Sequence, residues 1–181
     1  MTLGISTTKS AVIVAPTRGA GGKFVIAALR LLPFQVRTGN DLTELQQRLL
    51  ALFDHPGKPC GPVIALLQCS SGRFGSCLAA IKAEAMVELA AAACGLRVVK
   101  VAPQSLKKAL GGAPDQKWRD RAAARFNPAG KLRNWSPGAA GAVAVAFKVA
   151  GEDATALAND QAAGGTGVLG CPRIQPAKTL C

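Results

Sequence analysis

The chain contains no tyrosine, a single histidine and only ten acidic residues among 181. That histidine, His55, stands between the end of an expected helix and Pro56 with no second imidazole to work with, so it is a loop residue with little catalytic weight. The six cysteines, Cys60, Cys69, Cys77, Cys94, Cys171 and Cys181, contain no Cys-x-x-Cys pair and are too sparse for a disulfide framework. A structural zinc site and a secreted disulfide scaffold are thereby excluded, which leaves reduced, mostly buried thiols. Long hydrophobic runs are also missing. Residues 1–10 hold one lysine and no extended apolar stretch, and charge interrupts the alanine-rich segments before they reach membrane-spanning length. A cytoplasmic protein with no membrane partner is the expectation.

Positive charge is what the chain has in excess. Twenty-two lysines and arginines give a formal net charge of +12, which favours anionic partners and speeds encounter with them. DNA or RNA is the first candidate partner. A chain of this length buries a sizeable core without metals or disulfides, so one domain is expected.

Patterning places the elements. Met1 to Ile5 and Ala11 to Ala15 predict strands, and a glycine-rich loop at Gly19, Gly21 and Gly22 leads to a third from Phe24 to Leu32, which together make an antiparallel meander. Asp41 with Glu44 has the form of a capping box for a helix over 42–54, where Leu42, Leu45, Leu49, Leu50 and Phe53 recur at helical spacing. The unbroken run Val63 to Leu67 suits a central strand covered on both faces. Ser76 to Cys94 is the strongest helical segment, with Leu78, Ile81, Ala85, Leu89 and Ala92 as its expected apolar side and Gly95 as its terminator. A strand from Leu96 to Val101 then implies a parallel strand–helix–strand unit. Helices after Pro103, over Gln116 to Phe126 and over Gly138 to Ala150 complete the expected fold. Residues 1–150 are read as one domain, and 151–181, rich in Gly, Ala and Pro, as a flexible C-terminal tail.

This order of elements resembles the ribonuclease H-like fold, and local motifs resemble the RuvC family of Holliday-junction resolvases. Leu3-Gly4-Ile5-Ser6 is similar to that family's first strand, which continues into an aspartate, and Ile64 to Gln68 to its central strand, which ends in glutamate. The run from Ala90 to Leu110, with Gly111, Gly112, Asp115 and Lys117 after it, continues the likeness. Gly138 to Ala146 is similar to the last helix, which in the family begins Asp-Ala-Ala-Asp-Ala. Residues 70–89 also resemble a family of small ribonuclease H-like bacterial proteins that carries no assigned activity. The resemblance implies an α/β fold with a mixed five-stranded sheet, an N-terminal antiparallel meander and flanking helices.

It also implies where metal-binding carboxylates would stand, and those positions hold Ser6, Gln68, Gly138 and Gly141. Two-metal phosphodiester hydrolysis holds two cations about 4 Å apart and relies on carboxylates to offset their charge. Ser6 and Gln68 offer neutral oxygens at most, and the two glycines offer nothing. The expectation is therefore no catalytic residue, no metal and no cofactor. Glu84 and Glu88, one helical turn apart, are the only close acidic pair available for a relocated site. As solvated positions near Lys82, with Glu84 pairing locally, they need no such role.

Between Arg97 and Arg133 ten basic residues stand against Asp115 and Asp120, a net of +8. Lys107, Lys108, Lys117, Arg119, Arg121, Arg125, Lys131 and Arg133 are the candidate phosphate contacts, since long cationic side chains bind a nucleic-acid backbone without reading sequence. Trp118 is the candidate for stacking on an unpaired base, and Trp135 is expected to be packed. Arg73 and Phe74, in the loop leading into the long helix, are candidates for contact at the strand ends. Three functions follow in order of preference: an inactive RuvC-like protein that binds branched DNA or single strands, with a homodimer implied by the resemblance to the resolvases, an interaction or scaffold subunit, and a metal-dependent nuclease with relocated acids.

Overall fold

The structure, a computed structural model, describes residues 2–7, 11–18, 24–54, 63–69, 77–111, 113, 115–130, 132–133 and 135–162. The predictions at His55, Arg73, Phe74 and Lys131 lie outside the described residues. Strands β1 (Thr2–Ser6), β2 (Ala11–Arg18) and β3 (Phe24–Leu32) are followed by helix α1 (Gly39–Phe53), strand β4 (Val63–Leu67), helix α2 (Cys77–Ala93), strand β5 (Val98–Val101) and helices α3 (Pro103–Leu110), α4 (Trp118–Phe126) and α5 (Pro137–Ala162). The strands form one mixed sheet in the order β3-β2-β1-β4-β5. β1–β2 and β2–β3 are antiparallel, whereas β1–β4 and β4–β5 are parallel. The register of β2 on β3 shifts between Ala15 and Pro16, where proline has no N–H for the ladder.

β1 lies at the centre and is buried along its whole length. One face of the sheet packs on α1 and α2 through Leu3, Ile5, Ile64, Leu66, Leu45, Leu49, Phe53, Ala83 and Val87. On the other face Ala65, Leu67 and Val101 meet Leu106, Leu110, Ala122, Ala140, Ala144, Val145 and Val149 of α3, α4 and α5. Phe24, Phe126 and Phe147 add an aromatic cluster with centroids 5.3–5.4 Å apart.

Small residues set how closely α5 approaches β1. A Cβ placed on Gly4 would run into the carbonyl oxygen of Ala142 and lie 2.7 Å from Ala146 Cβ and 2.9 Å from the carbonyl carbon of Ala142. Only glycine admits a helix backbone at that distance, and the alanine-rich side of α5 is what descends onto it.

Several boundaries differ from the sequence expectation. α1 starts earlier, because its capping box is Thr38 with Asp41: the Asp41 N–H donates to Thr38 Oγ1 (3.3 Å), and the Thr38 and Arg37 N–H groups donate to Asp41 Oδ2 (2.8 Å each). Glu44 is instead ion-paired with Arg48 one turn on. The larger correction concerns α2. Its buried side is Ala83, Glu84, Val87, Ala90 and Ala91, while Leu78, Ile81 and Leu89 are 56%, 47% and 53% exposed, and Ala85 and Ala92 are exposed with them. α2 is apolar nearly all round, so periodicity did not separate its two sides. The side with the smaller residues packs, because it permits close approach to α1 and the sheet. The helix closes on Gly95 at φ 65° with Leu96 N–H bonded to Ala91 O (2.8 Å) and Gly95 N–H to Ala92 O (3.0 Å), as its glycine implied.

α5 begins on Ser136, whose Oγ accepts the Ala139 N–H (3.1 Å), with Pro137 in the first turn. It runs to Ala162, so its end does not fall at residue 150. The stretch after Gly151 is dense in alanine, the strongest helix former, and the Gly-Gly and Pro signals come only later in the sequence.

Candidate nucleic-acid interface and the closed strand ends

The parallel pairing of β1 and β4 sets Ile5 beside Leu66, so Ser6 and Gln68 emerge at the same end of the sheet. Gln68 directly follows β4, with its N–H held by Val101 O (3.0 Å). α5 starts at this end and brings Gly138 and Gly141, one turn apart, against it. The topology thus gathers the four positions that the sequence resemblance aligned with carboxylates.

Three of the four positions are packed, whereas Gln68 is exposed. Ser6 is 0% exposed, and Gly138 is buried. A Cβ on Gly141 would sit 2.7 Å from Leu67 Cδ2, 3.1 Å from Ser6 Oγ and 3.3 Å from Ser6 Cβ. The space an aspartate would need is filled by a leucine methyl and the serine, so these residues do not fit a divalent pair. Among the described residues no three His, Cys, Asp or Glu side chains stand close enough to hold a metal ion.

The two nearby acids are occupied. Glu84 is 7% exposed and accepts the Cys69 N–H just beyond β4, which corrects its reading as a solvated residue. Burial pushes its carboxyl above the usual range and Glu88 adds to this, while the Cys69 N–H and the charge of Lys100 pull the other way. Glu88 is paired with Lys100 Nζ at 2.6 Å, and hydrogen bonding to Glu88 chiefly raises the lysine's pKa. A groove of about 540 Å³ between Pro33, Phe34 and Gln35 and the α1 residues Asp41, Glu44, Leu45 and Arg48 shares no residue with the strand-end site.

The basic segment divides into two kinds of residue. Lys107 and Lys108 at the end of α3, Lys117 at the N-cap of α4, Arg119 and Arg133 are exposed. Arg121 is different: 8% exposed, it donates to the carbonyls of Gln116 (3.1 Å), Lys107 (2.9 Å), Gly111 (2.6 Å) and Ala113. Its planar fork holds the α3–α4 connection together, and it is not presented to a phosphate. Arg125 lies over Phe147 at 4.3 Å and reaches Leu110 O at 3.5 Å, so its guanidinium is also engaged. Trp118 is half-buried against the α3–α5 core with the Arg119 guanidinium 5.2 Å from its ring centroid. Trp135 is packed between both clusters on the α5 side. Sequence spacing carried no sign that Arg121 is buried while Arg125, one turn on, stays exposed with its guanidinium over Phe147.

A mixed sheet in this order, with α1 and α2 on one face and the other helices opposite, has ribonuclease H-like architecture. The likeness is distant in sequence and extends over most of the chain. Thermus thermophilus RuvC in complex with a Holliday junction substrate superposes with a TM-score of 0.65 at 15% identity, covering 85% of this chain and 95% of that one. T. thermophilus RuvC in another structure gives 0.64 at 17% identity, covering 86% and 96%. The yeast mitochondrial Holliday junction resolvase Ydc2 gives 0.53 at 12%, covering 88% and 83%. At such identities the shared property is the fold. No protein-family model and no curated protein sequence matches the chain. Among the described residues no helix is long and apolar enough to cross a membrane.

Proposed function

We propose that this chain is a ribonuclease H-like protein that binds nucleic acid through its α3–α4 surface and has lost two-metal phosphodiester cleavage. The observation that carries the reading is the contact of Gly141 with Ser6 and Leu67, which fills the place where a carboxylate and its cations would stand. Binding is supported by the local charge of +8 over residues 97–133 and by the exposure of Lys107, Lys108, Lys117, Arg119 and Arg133. The T. thermophilus relative in fold was seen with a Holliday junction, which makes branched DNA the first ligand to try, ahead of single strands and RNA.

The test is a salt-titrated binding panel of branched DNA, single strands and RNA with magnesium present. Binding that weakens steeply with salt, without cleavage, is the expected result. Magnesium-dependent cutting by purified protein overturns the reading. A nuclease with relocated acids is disfavoured because Glu84 is buried on the Cys69 N–H and Glu88 is paired with Lys100. A scaffold role without nucleic acid is the second reading, favoured by the exposed apolar side of α2. Assembly that persists at high salt, with no binding to any member of the panel, selects it.

A further inference from the structure

β3 forms the edge of the sheet opposite β5, and among the described residues it pairs only with β2. Its register on β2 skips Ala27, so the regular edge is the stretch 28–32, ~17 Å of backbone. Both faces of the strand are anchored: Phe24, Ile26 and Leu29 pack against Ala139, Ala142 and Val143 of α5, and Leu32 with Phe34 against the α1–α2 core. The strand is thus held ready to pair, and its outward N–H and C=O groups have no neighbouring strand among the described residues. Where β3 ends, the chain becomes one wall of the groove in which Pro33 and Phe34 face Leu45 and Arg48 of α1. We infer that edge and groove together dock an extended acidic segment of a partner protein, which joins the sheet as an added strand beside 28–32 and lodges an apolar side chain against Phe34.

Charge and side-chain pattern select that occupant. Residues 1–40 contain Lys9, Arg18, Lys23, Arg30 and Arg37 and no acid, so the meander carries positive charge with no carboxylate of its own. Arg30 stands in the middle of the regular edge, exposed, beside Ile13 of β2 and without an ion pair among the described residues. A carboxylate on an added strand is the cross-strand partner it lacks. Leu31, 44% exposed, points to the other face and matches an apolar residue one place along, so the pattern recognised alternates acid and apolar. In the groove Asp41 accepts the Arg37 and Thr38 N–H groups and Glu44 is paired with Arg48, so its acids are engaged and the rest of its lining, Gln35 apart, is apolar. A nucleic acid would engage Arg30 but would leave the alternating backbone N–H and C=O groups and the apolar groove unused.

Fluorescence anisotropy of the full chain with a labelled peptide of alternating valine and glutamate, about eight residues long to cover edge and groove, tests this. A Kd of roughly 10–100 µM is expected. Methylating the peptide's backbone nitrogens at alternate residues is the signature measurement: one set removes the N–H groups that donate to β3 and abolishes binding, while the other set, facing away, leaves it intact. Arg30→Glu, at an exposed position, should keep the wild-type melting temperature, weaken the glutamate peptide about fivefold or more and favour a valine–lysine peptide in its place. Lys117→Gln with Arg119→Gln should leave the peptide's Kd at the wild-type value, because the α3–α4 surface takes no part. No binding, equal tolerance of both methylated sets, indifference to Arg30→Glu, or loss of binding in the Lys117 and Arg119 variant each overturns the proposal. Displacement of the peptide by branched or single-stranded DNA overturns it as well, because the edge would then be a nucleic-acid surface. The methylation pattern and the Arg30 response do not depend on whether the α3–α4 surface binds nucleic acid.

Discussion

Gly141 tests whether the strand ends are closed by packing or merely lack the right side chains. In Gly141→Ala the new methyl would meet Leu67 Cδ2 at 2.7 Å and Ser6 Oγ at 3.1 Å. Leu67 and Ser6 are themselves buried, so neither moves aside freely. Overpacking of this kind costs about 1–3 kcal/mol. Alanine recovers roughly 1 kcal/mol over glycine inside a helix, which leaves an expected net loss of about 1 kcal/mol. Gly151→Ala supplies the control: it lies in the same helix with nothing within 4 Å of the new Cβ, so it should stabilise by up to about 1 kcal/mol. Urea midpoints at constant slope separate the two. Ser6→Asp with Gly141→Asp extends the test by placing two carboxylates in a buried site without room for them. Its expected cost is several kcal/mol, and magnesium should not restore it. A neutral or stabilising Gly141→Ala, or a double aspartate variant whose melting temperature rises with magnesium, refutes the closed-site argument, because linkage would then show a cation bound to the folded state.

Other expectations follow from the same contacts. Arg121→Ala strips the shared donor from four carbonyls and should cost at least about 3 kcal/mol, with Lys a poor rescue because it lacks the planar fork; Arg119→Ala should cost under about 1 kcal/mol, and denaturation curves compare them. Replacing Lys108, Lys117, Arg119 and Arg133 by neutral polar residues should lower the slope of log K against log salt by up to about 3–4, while folding is unchanged; an unaltered slope rejects the surface. Burial raises the folded-state pKa of Glu84 above its ordinary 4.5, so its stabilising contribution is complete below that value and fades as pH rises through the folded-state pKa. Glu84→Gln should therefore gain on wild type as pH increases from about 4 toward 7 in a stability–pH series, and parallel curves would contradict the assignment. Thr38→Ala removes a capping partner of α1 and should cost about 1 kcal/mol by thermal melting.

Where the chain's own chemistry is one-sided, its structure was legible in advance. β3 and β4 match their apolar runs residue for residue, Gly95 ends α2, and Pro103 opens α3, because each depends on local backbone preference. The capping box was misplaced by one turn because Asp41 can serve as either cap or third residue, and only the chain direction around Thr38 decides. α2 offered two apolar sides of similar weight, so its orientation was not encoded in periodicity at all.

Composition and local pattern by themselves determined the strongly basic character and the order of strands and helices, and the family resemblance added four positions where carboxylates are replaced. Tertiary structure alone decided that Ser6, Gly138 and Gly141 are buried, that Arg121 braces carbonyls, and that Leu78, Ile81 and Leu89 face solvent. The physical reason is range. Backbone preference and charge count are properties of a few neighbours in the chain, whereas exclusion of a methyl group or capture of a guanidinium depends on atoms brought together from distant segments.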